Sequence, residues 1–152
     1  MRKLILIASM VIAGLGLNAQ SIDITQTENP EVASQFINYQ NIDEVVLADG
    51  SVIKVGDKIQ LVGPYKGKRD FTNVFIAKLN VAIMLISSPT HLDQIFANKT
   101  TTVEKIFVNH TGFGKKSPLN ISMHVNFDGI TLHATIFDLK GALEDGEIII
   151  NK

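Results

Sequence analysis

The chain has 152 residues, of which 45% are hydrophobic, and this length is typical of one domain. It contains no cysteine, which excludes a disulfide framework, a thiol nucleophile and a metal site built on cysteine. Its 14 basic and 15 acidic side chains give a formal net charge of -1. Because no excess of positive charge is present, a nucleic acid is not a predicted partner.

The first nineteen residues have the three parts of a secretory signal peptide. Arg2 and Lys3 provide the positive start, an apolar run follows over Leu4 to Ala13, and small Ala19 stands at the predicted cleavage site. A bilayer span needs roughly 20 apolar residues, so we expect cleavage rather than a transmembrane anchor. Without cysteine there is no lipobox. The sequence therefore predicts a periplasmic or secreted protein with no membrane span after cleavage.

Residues 20–42 form a polar segment with one short helix in it. Pro30 suits the first turn of a helix and Asn29 suits its N-cap, so we expect a helix near 30–38. No linker, repeat or low-complexity run divides the rest of the chain, and residues 43–152 are predicted to form a single β-barrel-like domain.

The pattern changes to β-structure after residue 43. Two β-prone runs flank Asp49-Gly50, a pair typical of a hairpin turn, and alternation over Lys58 to Val62 predicts a strand with one wet face. Further strands are expected over 71–77 and 102–109, and a short helix over 91–97 that Thr90 caps. The apolar run over 81–87 fits a strand or a helix equally well.

The clearest pattern is a C-terminal hairpin over 120–127 and 130–137. A two-residue Asp128-Gly129 turn would place His124 opposite His133 and separate two faces, because side chains alternate along each strand. The predicted apolar face holds Ile121, Met123, Val125, Phe127, Ile130, Leu132, Ala134 and Ile136, and the polar face holds Ser122, His124, Asn126, Thr131, His133 and Thr135. A helix capped by Asp138 and a last strand over 147–151 are expected to follow.

Short strands separated by brief turns indicate the fold class. We predict a mainly β chain that forms a small antiparallel barrel with one to three short helices, following the signal peptide. Both an SH3-like and an OB-like barrel fit the size of the domain, and the residues do not choose between them.

Two stretches resemble a family of small exported bacterial β-domains of unassigned function. The first is ADGSVIKVGDKIQL over 48–61, which contains a G-D-x-[IL]-x-L motif. The second is ALEDGEI over 142–148, which matches a closing A-L-x-x-G-E-I, together with the V-x-K-I strand at 103–106. The family's Gly after the first motif comes one position late here, as Gly63. The resemblance implies a β-rich, export-associated module and brings no catalytic or ligand residue with it.

The loop over 63–71 is the first candidate binding site. Lys66, Lys68 and Arg69 lie between the aromatic residues Tyr65 and Phe71. Cations beside aromatic rings suit an anionic ligand such as an acidic glycan, a lipid headgroup or a phosphate. Lys115 and Lys116 of the loop over 111–119 are expected to extend the same patch. The alternative interpretation is a solvated hairpin tip.

A histidine pair is the second candidate. His124 and His133, placed opposite each other by the predicted turn, would hold imidazoles close enough to share Zn²⁺ or Cu²⁺. His110, at the end of the preceding strand, is the candidate third ligand. The alternative is that these histidines are simply solvated.

Three common catalytic or nucleotide-binding motifs are absent from the sequence. The sequence contains no G-x-S-x-G, H-E-x-x-H or Walker motif. We therefore predict a non-catalytic binding or interaction module of the cell envelope, without a cofactor, whose partner is an anionic glycan or a protein. A metal-binding protein is the alternative, and a small hydrolase without identifiable catalytic residues is a third reading.

Overall fold

The computed structural model describes residues 20–76 and 90–151. The predicted signal peptide and the apolar run over 81–87 lie outside these described residues. Within the described ranges, no helix has the length and apolar character needed to cross a bilayer.

Eleven strands and two short helices make up the described part of the chain. The strands are β1 (Ser21–Asp23), β2 (Gln40–Ile42), β3 (Glu44–Val46), β4 (Val52–Lys54), β5 (Lys58–Leu61), β6 (Asp70–Ile76), β7 (His91–Asp93), β8 (Thr100–His110), β9 (Leu119–Phe127), β10 (His133–Ile136) and β11 (Ile148–Ile150). The helices are α1 (Pro30–Ala33) and α2 (Leu139–Glu144).

The strands form two sheets. The larger sheet has the order β11-β5-β8-β9-β10-β6-β7, with β2 also paired to β8, and its pairings are antiparallel. The smaller sheet has the order β1-β3-β4, in which β1 and β3 are parallel. The larger sheet curls into a half-barrel, and this confirms the prediction of a mainly β, antiparallel, barrel-like fold with few helices.

One face of the larger sheet carries the core. Alternation along β8 and β9 turns every second side chain inward, where it packs with residues from β5, β6, β7 and β10. The fully buried members include Ile59, Leu61, Phe71, Val74, Leu92, Val103, Ile106, Val108, Met123, Val125, Phe127, Ala134 and Ile136. On the other face of β8, β9 and β10 most of the described side chains are partly exposed.

The C-terminal hairpin has a longer loop than its Asp-Gly turn predicts. The Phe127 N–H donates to the Leu132 carbonyl at 2.9 Å, which leaves a four-residue loop over 128–131. The cause lies outside the hairpin, because Asp128 bonds to Lys58 and to Thr102, at 2.8 Å each, and so extends β9 along its other neighbour.

The longer loop moves the register by two residues, which keeps the two faces but changes the partners. His124 pairs with Thr135 and His133 with Asn126, so the predicted direct opposition of the two histidines is wrong. Ile130 lies in the loop and is exposed, whereas Met123 and Ala134 remain buried as predicted.

The segment over 91–97 is not the predicted helix. Residues 91–93 form β7 on the edge of β6, with His91 opposite Phe75. Asp93, and not Thr90, caps a 3-10 turn over Gln94–Phe96 by accepting from the Ile95 N–H. Pairing with the edge of β6 satisfies backbone groups that an isolated short helix would leave open.

Helix α1 begins as predicted and ends sooner than predicted. The Asn29 side chain accepts from the Glu31 N–H at 3.0 Å, and Pro30 is the first helical residue, but the helix ends at Ala33.

In the Asp49-Gly50 hairpin, the Leu47 N–H donates to the Ser51 carbonyl at 2.8 Å, so the loop has three residues rather than two. The capping and turn residues therefore predicted the positions of the helix and the hairpin, but not the length of the helix or of the hairpin loop.

The C-terminal motif joins the last strand to the core. As predicted, Asp138 caps α2, accepting from the Gly141 N–H at 3.0 Å, and a last strand follows. This strand, β11, pairs with β5. Glu147 is fully buried, and its carboxylate accepts from the backbone N–H groups of Tyr65, Thr72 and Asn73. This carboxylate therefore holds the segment that runs from the loop over 63–69 into β6.

Candidate functional site

The cations of the basic loop over 63–69 lie beside other side chains of the protein. Lys66 Nζ and Lys68 Nζ lie 4.9 and 5.7 Å from the centroid of the Tyr65 ring, and Arg69 Nε lies 3.8 Å from Asp93 Oδ2. Lys66 has a φ of 51°, a left-handed conformation that folds the loop back on itself. The cations predicted to bind an anion thus have partners within the chain.

Phe71 does not belong to that loop's surface. It is 1% exposed and lies in the core at the start of β6, so the prediction that it contacts a ligand beside the lysines is wrong. Phe71 follows the charged loop in sequence, but strand alternation turns its ring inward.

The two lysine-containing loops do not form one patch. Gly63 lies next to Ala97, just before β8 begins, while the loop over 111–118 starts where β8 ends at His110. The eleven residues of β8 separate these ends by about 33 Å, so the expected contribution of Lys115 and Lys116 to the first loop is wrong.

The three histidines predicted as metal ligands lie in different surroundings. His133 Nδ1 is 3.0 Å from Glu104 Oε2, and His110 Nδ1 and Nε2 lie 3.0 and 2.9 Å from the carbonyls of Ser117 and Phe36. The described residues contain no group of three potential metal-ligating side chains. The metal hypothesis therefore loses the arrangement on which it depended.

A broad groove runs over the open face of the larger sheet. It has a volume of about 830 Å³, within the range of small-molecule ligand sites. Its lining combines aromatic rings with amide, hydroxyl and charged groups from the ends and faces of several strands: Tyr39, Asn73, Lys105, Phe107, Asn109, His110, Thr111, Asn120, Ser122, His124, Thr135, Phe137 and Asp138.

Aromatic rings follow one another along this groove. Tyr39 and Phe107 are stacked with centroids 6.5 Å apart, and Phe107 and His124 with centroids 5.1 Å apart. Phe137 is exposed on the other side, where its ring meets Phe75 edge-on at 5.8 Å. The groove thus offers flat apolar surfaces at separated points along its length.

Tyr39 is held in an unusual position. Its φ is 59°, a left-handed conformation that tyrosine rarely adopts, and its side chain is 76% exposed. The Asn109 side chain accepts from the Tyr39 N–H at 2.9 Å, and the Asn38 side chain accepts from the His110 N–H at 2.7 Å. Contacts with the end of β8 therefore maintain a strained backbone that presents an exposed ring.

The polar groups of the groove are partly satisfied by the fold. The Asn120 amide and the Ser122 hydroxyl both donate to the Phe137 carbonyl at 2.7 Å. Thr135 Oγ1 lies 3.4 Å from His124 Nδ1. Within the described ranges, Asn120 Oδ1 and His124 Nε2 have no hydrogen-bond partner from the protein. These atoms can accept from, or donate to, a bound molecule.

Burial and, to a lesser extent, the neighbouring Lys105 ammonium lower the pKa of His124 below its ordinary value. A bulge in β8 between Val103 and Lys105 places that lysine directly opposite His124. At neutral pH the groove therefore presents a neutral imidazole beside a cation.

Sequence reasoning found part of this surface. The polar face of the C-terminal hairpin correctly grouped Ser122, His124 and Thr135 on one side. The prediction did not include Tyr39 and Phe107, which come from other segments, or Phe137, the last residue of the predicted hairpin. The available signal was the period-two pattern of β8, which places Lys105, Phe107 and Asn109 on one face once the bulge is known.

A scan against protein-family models found no match, and searches of curated proteins and of solved structures also found none. The resemblance to exported bacterial β-domains therefore stays a prediction from the two sequence motifs.

Proposed function

We propose that this chain is an exported, non-catalytic binding module of the bacterial cell envelope that holds an oligosaccharide in the groove of its larger sheet. The proposal depends on one observation above all. Exposed aromatic rings lie along a groove whose remaining lining consists mainly of amide and hydroxyl groups.

The chemistry of a pyranose ring fits such a lining. Each sugar has an apolar face of C–H groups, which packs on an aromatic ring, and a rim of hydroxyls, which donate to and accept from polar side chains. Tyr39 and Phe137 offer exposed rings, while Asn120 Oδ1 and His124 Nε2 offer hydrogen-bonding atoms. A chain of sugars contacts several such points together and gains affinity from each.

The groove supports this role better than the loop over 63–69. In the loop, Lys66 and Lys68 lie over the Tyr65 ring, so an anion or a sugar must displace contacts already made. In the groove, the Tyr39 ring is 76% exposed and Phe137 is also exposed, so a sugar can pack on these rings without first displacing a cation.

The chain's two tyrosines provide a matched experiment. Calorimetric titration of the purified protein with cellohexaose, chitohexaose and a hexamer of galacturonic acid is expected to give a Kd of about 1 mM or lower for at least one of them. Tyr39→Asn, which tolerates the left-handed backbone, is expected to weaken that binding at least tenfold. Tyr65→Ala is expected to leave the affinity unchanged.

The opposite results would reject the proposal. No heat with any of the three oligosaccharides up to 10 mM, about ten times that limiting Kd, would exclude this class of ligand. Loss of binding with Tyr65→Ala and not with Tyr39→Asn would move the site to the loop.

Export is supported by the charge and apolar pattern of residues 1–19. Expression in a bacterial host followed by osmotic shock is expected to release the protein, and its mass is expected to be lower by the first nineteen residues. Retention in the cytoplasm at full mass would reject export and leave the groove proposal untouched.

A further inference from the structure

The end of the molecule that contains the loop between β8 and β9 carries exposed apolar side chains. Phe113 stands between Gly112 and Gly114 at the tip of the loop over 111–118 and is fully exposed. Ile37, from the segment between α1 and β2, is 68% exposed and lines the same small depression as Gly112, Gly114 and Lys115. Two apolar side chains thus project from one end of the fold.

Hydrogen bonds hold this tip in shape. The Ser117 hydroxyl lies 3.1 and 2.8 Å from the carbonyls of Gly112 and Gly114, and the Thr111 N–H donates to the Pro118 carbonyl at 2.8 Å. The His110 ring contacts the Phe36 carbonyl at 2.9 Å and so links the tip to the neighbouring segment. Phe113 is therefore presented by a bonded loop.

Positive charge lies beside these exposed apolar side chains. Lys115 and Lys116 follow Phe113 after Gly114, and both are exposed. Lys116 Nζ is 3.1 Å from Glu31 Oε1 in a pair open to solvent, which neutralises part of the charge and is easily exchanged for another anion. Within the described residues Lys115 has no ion pair. The tip carries more positive than negative charge.

We propose that this tip, formed by Phe113, Ile37, Lys115 and Lys116, contacts the surface of an anionic lipid membrane. Phe113 and Ile37 insert at the boundary between headgroups and acyl chains, while the two ammonium groups remain at the level of the phosphates. A projecting tip of two apolar side chains suits a soft, deformable surface. It offers far less area than the roughly 800 Å² per partner that a stable protein interface buries.

The absence of tryptophan from the chain makes a specific test possible. Phe113→Trp introduces the only indole of the chain, so its fluorescence reports on the tip alone. This holds in the full chain too, because residues 1–19 are apolar but contain no tryptophan. Titration with vesicles of phosphatidylcholine and phosphatidylglycerol is expected to shift its fluorescence to shorter wavelength, and brominated acyl chains are expected to quench it. Vesicles of phosphatidylcholine alone are expected to give a weaker response.

Charge variants and a second indole position complete the design. Lys115→Gln and Lys116→Gln, each made in the Phe113→Trp background, are expected to weaken binding about fivefold apiece. Phe137→Trp places an exposed indole in the groove and is expected to show no shift.

Three results would overturn the proposal. The first is no shift of the Phe113→Trp fluorescence with either vesicle. The second is an equal shift for Phe137→Trp, which indicates general adsorption through another part of the chain. The third is a shift that depends on protein concentration without lipid, which assigns the tip to a second copy of the chain. None of these readouts depends on oligosaccharide binding.

Discussion

The two tyrosines of this chain lie in regions of similar composition and opposite organisation. Around Tyr65, two lysines fold over one ring and cover it. The Tyr39 ring stacks on Phe107, whose ring also lies close to His124 and Lys105. Most of the Tyr39 side chain stays exposed. Aromatic and basic residues close in sequence satisfy one another, whereas those assembled from separate strands leave surface for a ligand.

The two regions also differ in how the backbone is held. The segment after Tyr65 depends on the buried Glu147 carboxylate, which comes from a distant part of the sequence. The segment of Tyr39 depends on the side chains of Asn109 and Asn38 at the surface. The first arrangement serves the stability of the core, and the second positions an exposed ring.

The largest expected effect tests the first arrangement. Glu147→Gln replaces an acceptor by an amide whose N–H₂ faces backbone donors, so at least one buried N–H loses its partner. We expect the free energy of unfolding in urea to fall by about 3 kcal/mol or more. Glu144→Gln, at an exposed position three residues earlier, is the control and is expected to change it by less than about 0.5 kcal/mol. A loss below about 1 kcal/mol for Glu147→Gln would show that the loop does not depend on this carboxylate.

A smaller effect is expected in the aromatic row, the stacked rings of Tyr39, Phe107 and His124. Phe107→Leu keeps an apolar side chain of similar bulk but removes the stacking with Tyr39 and His124. Thermal unfolding is expected to show a loss of about 1 kcal/mol, and oligosaccharide affinity is expected to fall with it. Unchanged affinity would show that the aromatic row does not contribute to oligosaccharide binding.

The pH dependence of stability is expected to be smaller again. Because the pKa of His124 is lowered in the folded chain, the unfolded chain binds its proton first as the pH falls. This residue's contribution is therefore complete above its ordinary pKa of about 6.5 and is lost as the pH falls from there through the lowered value. We expect His124→Gln to reduce the slope of stability against pH below 6.5, measured by urea unfolding from pH 5 to 8. An unchanged slope would contradict this origin.

The smallest effect is expected where the cations cover Tyr65. Lys66→Ala and Lys68→Ala each remove one exposed cation–π contact, for an expected loss of about 0.5 kcal/mol. Neither is expected to change oligosaccharide affinity. A clear loss of affinity in either variant would reverse the comparison and return the site to the loop.

Local patterns in the sequence predicted much of the fold because they reflect short-range physics. Alternation identified β5 and β9, strand-forming composition identified β6 and β8, and the side chains of Asn29 and Asp138 identified the starts of both helices. Alternation also separated Met123 from His124 on opposite faces of β9, and a register error of two residues left this separation intact.

The candidate site was predicted only in part, because its members come together through contacts between distant segments. The bonds from Lys58 and Thr102 to Asp128 set the hairpin loop, and this in turn decides which residue faces His124. Residues missed in the sequence, above all Tyr39, join the groove through the end of β8.

By itself, the sequence determined which side chains point inward along β9 and β10 and where α1 and α2 begin. These properties follow from the period of the strand and from caps within a few residues of the chain. Only the tertiary structure decided that Phe71 belongs to the core, that Glu147 anchors a loop, and that Tyr39 lies over a groove. Each depends on hydrogen bonds and packing between residues far apart in sequence, which no local pattern records.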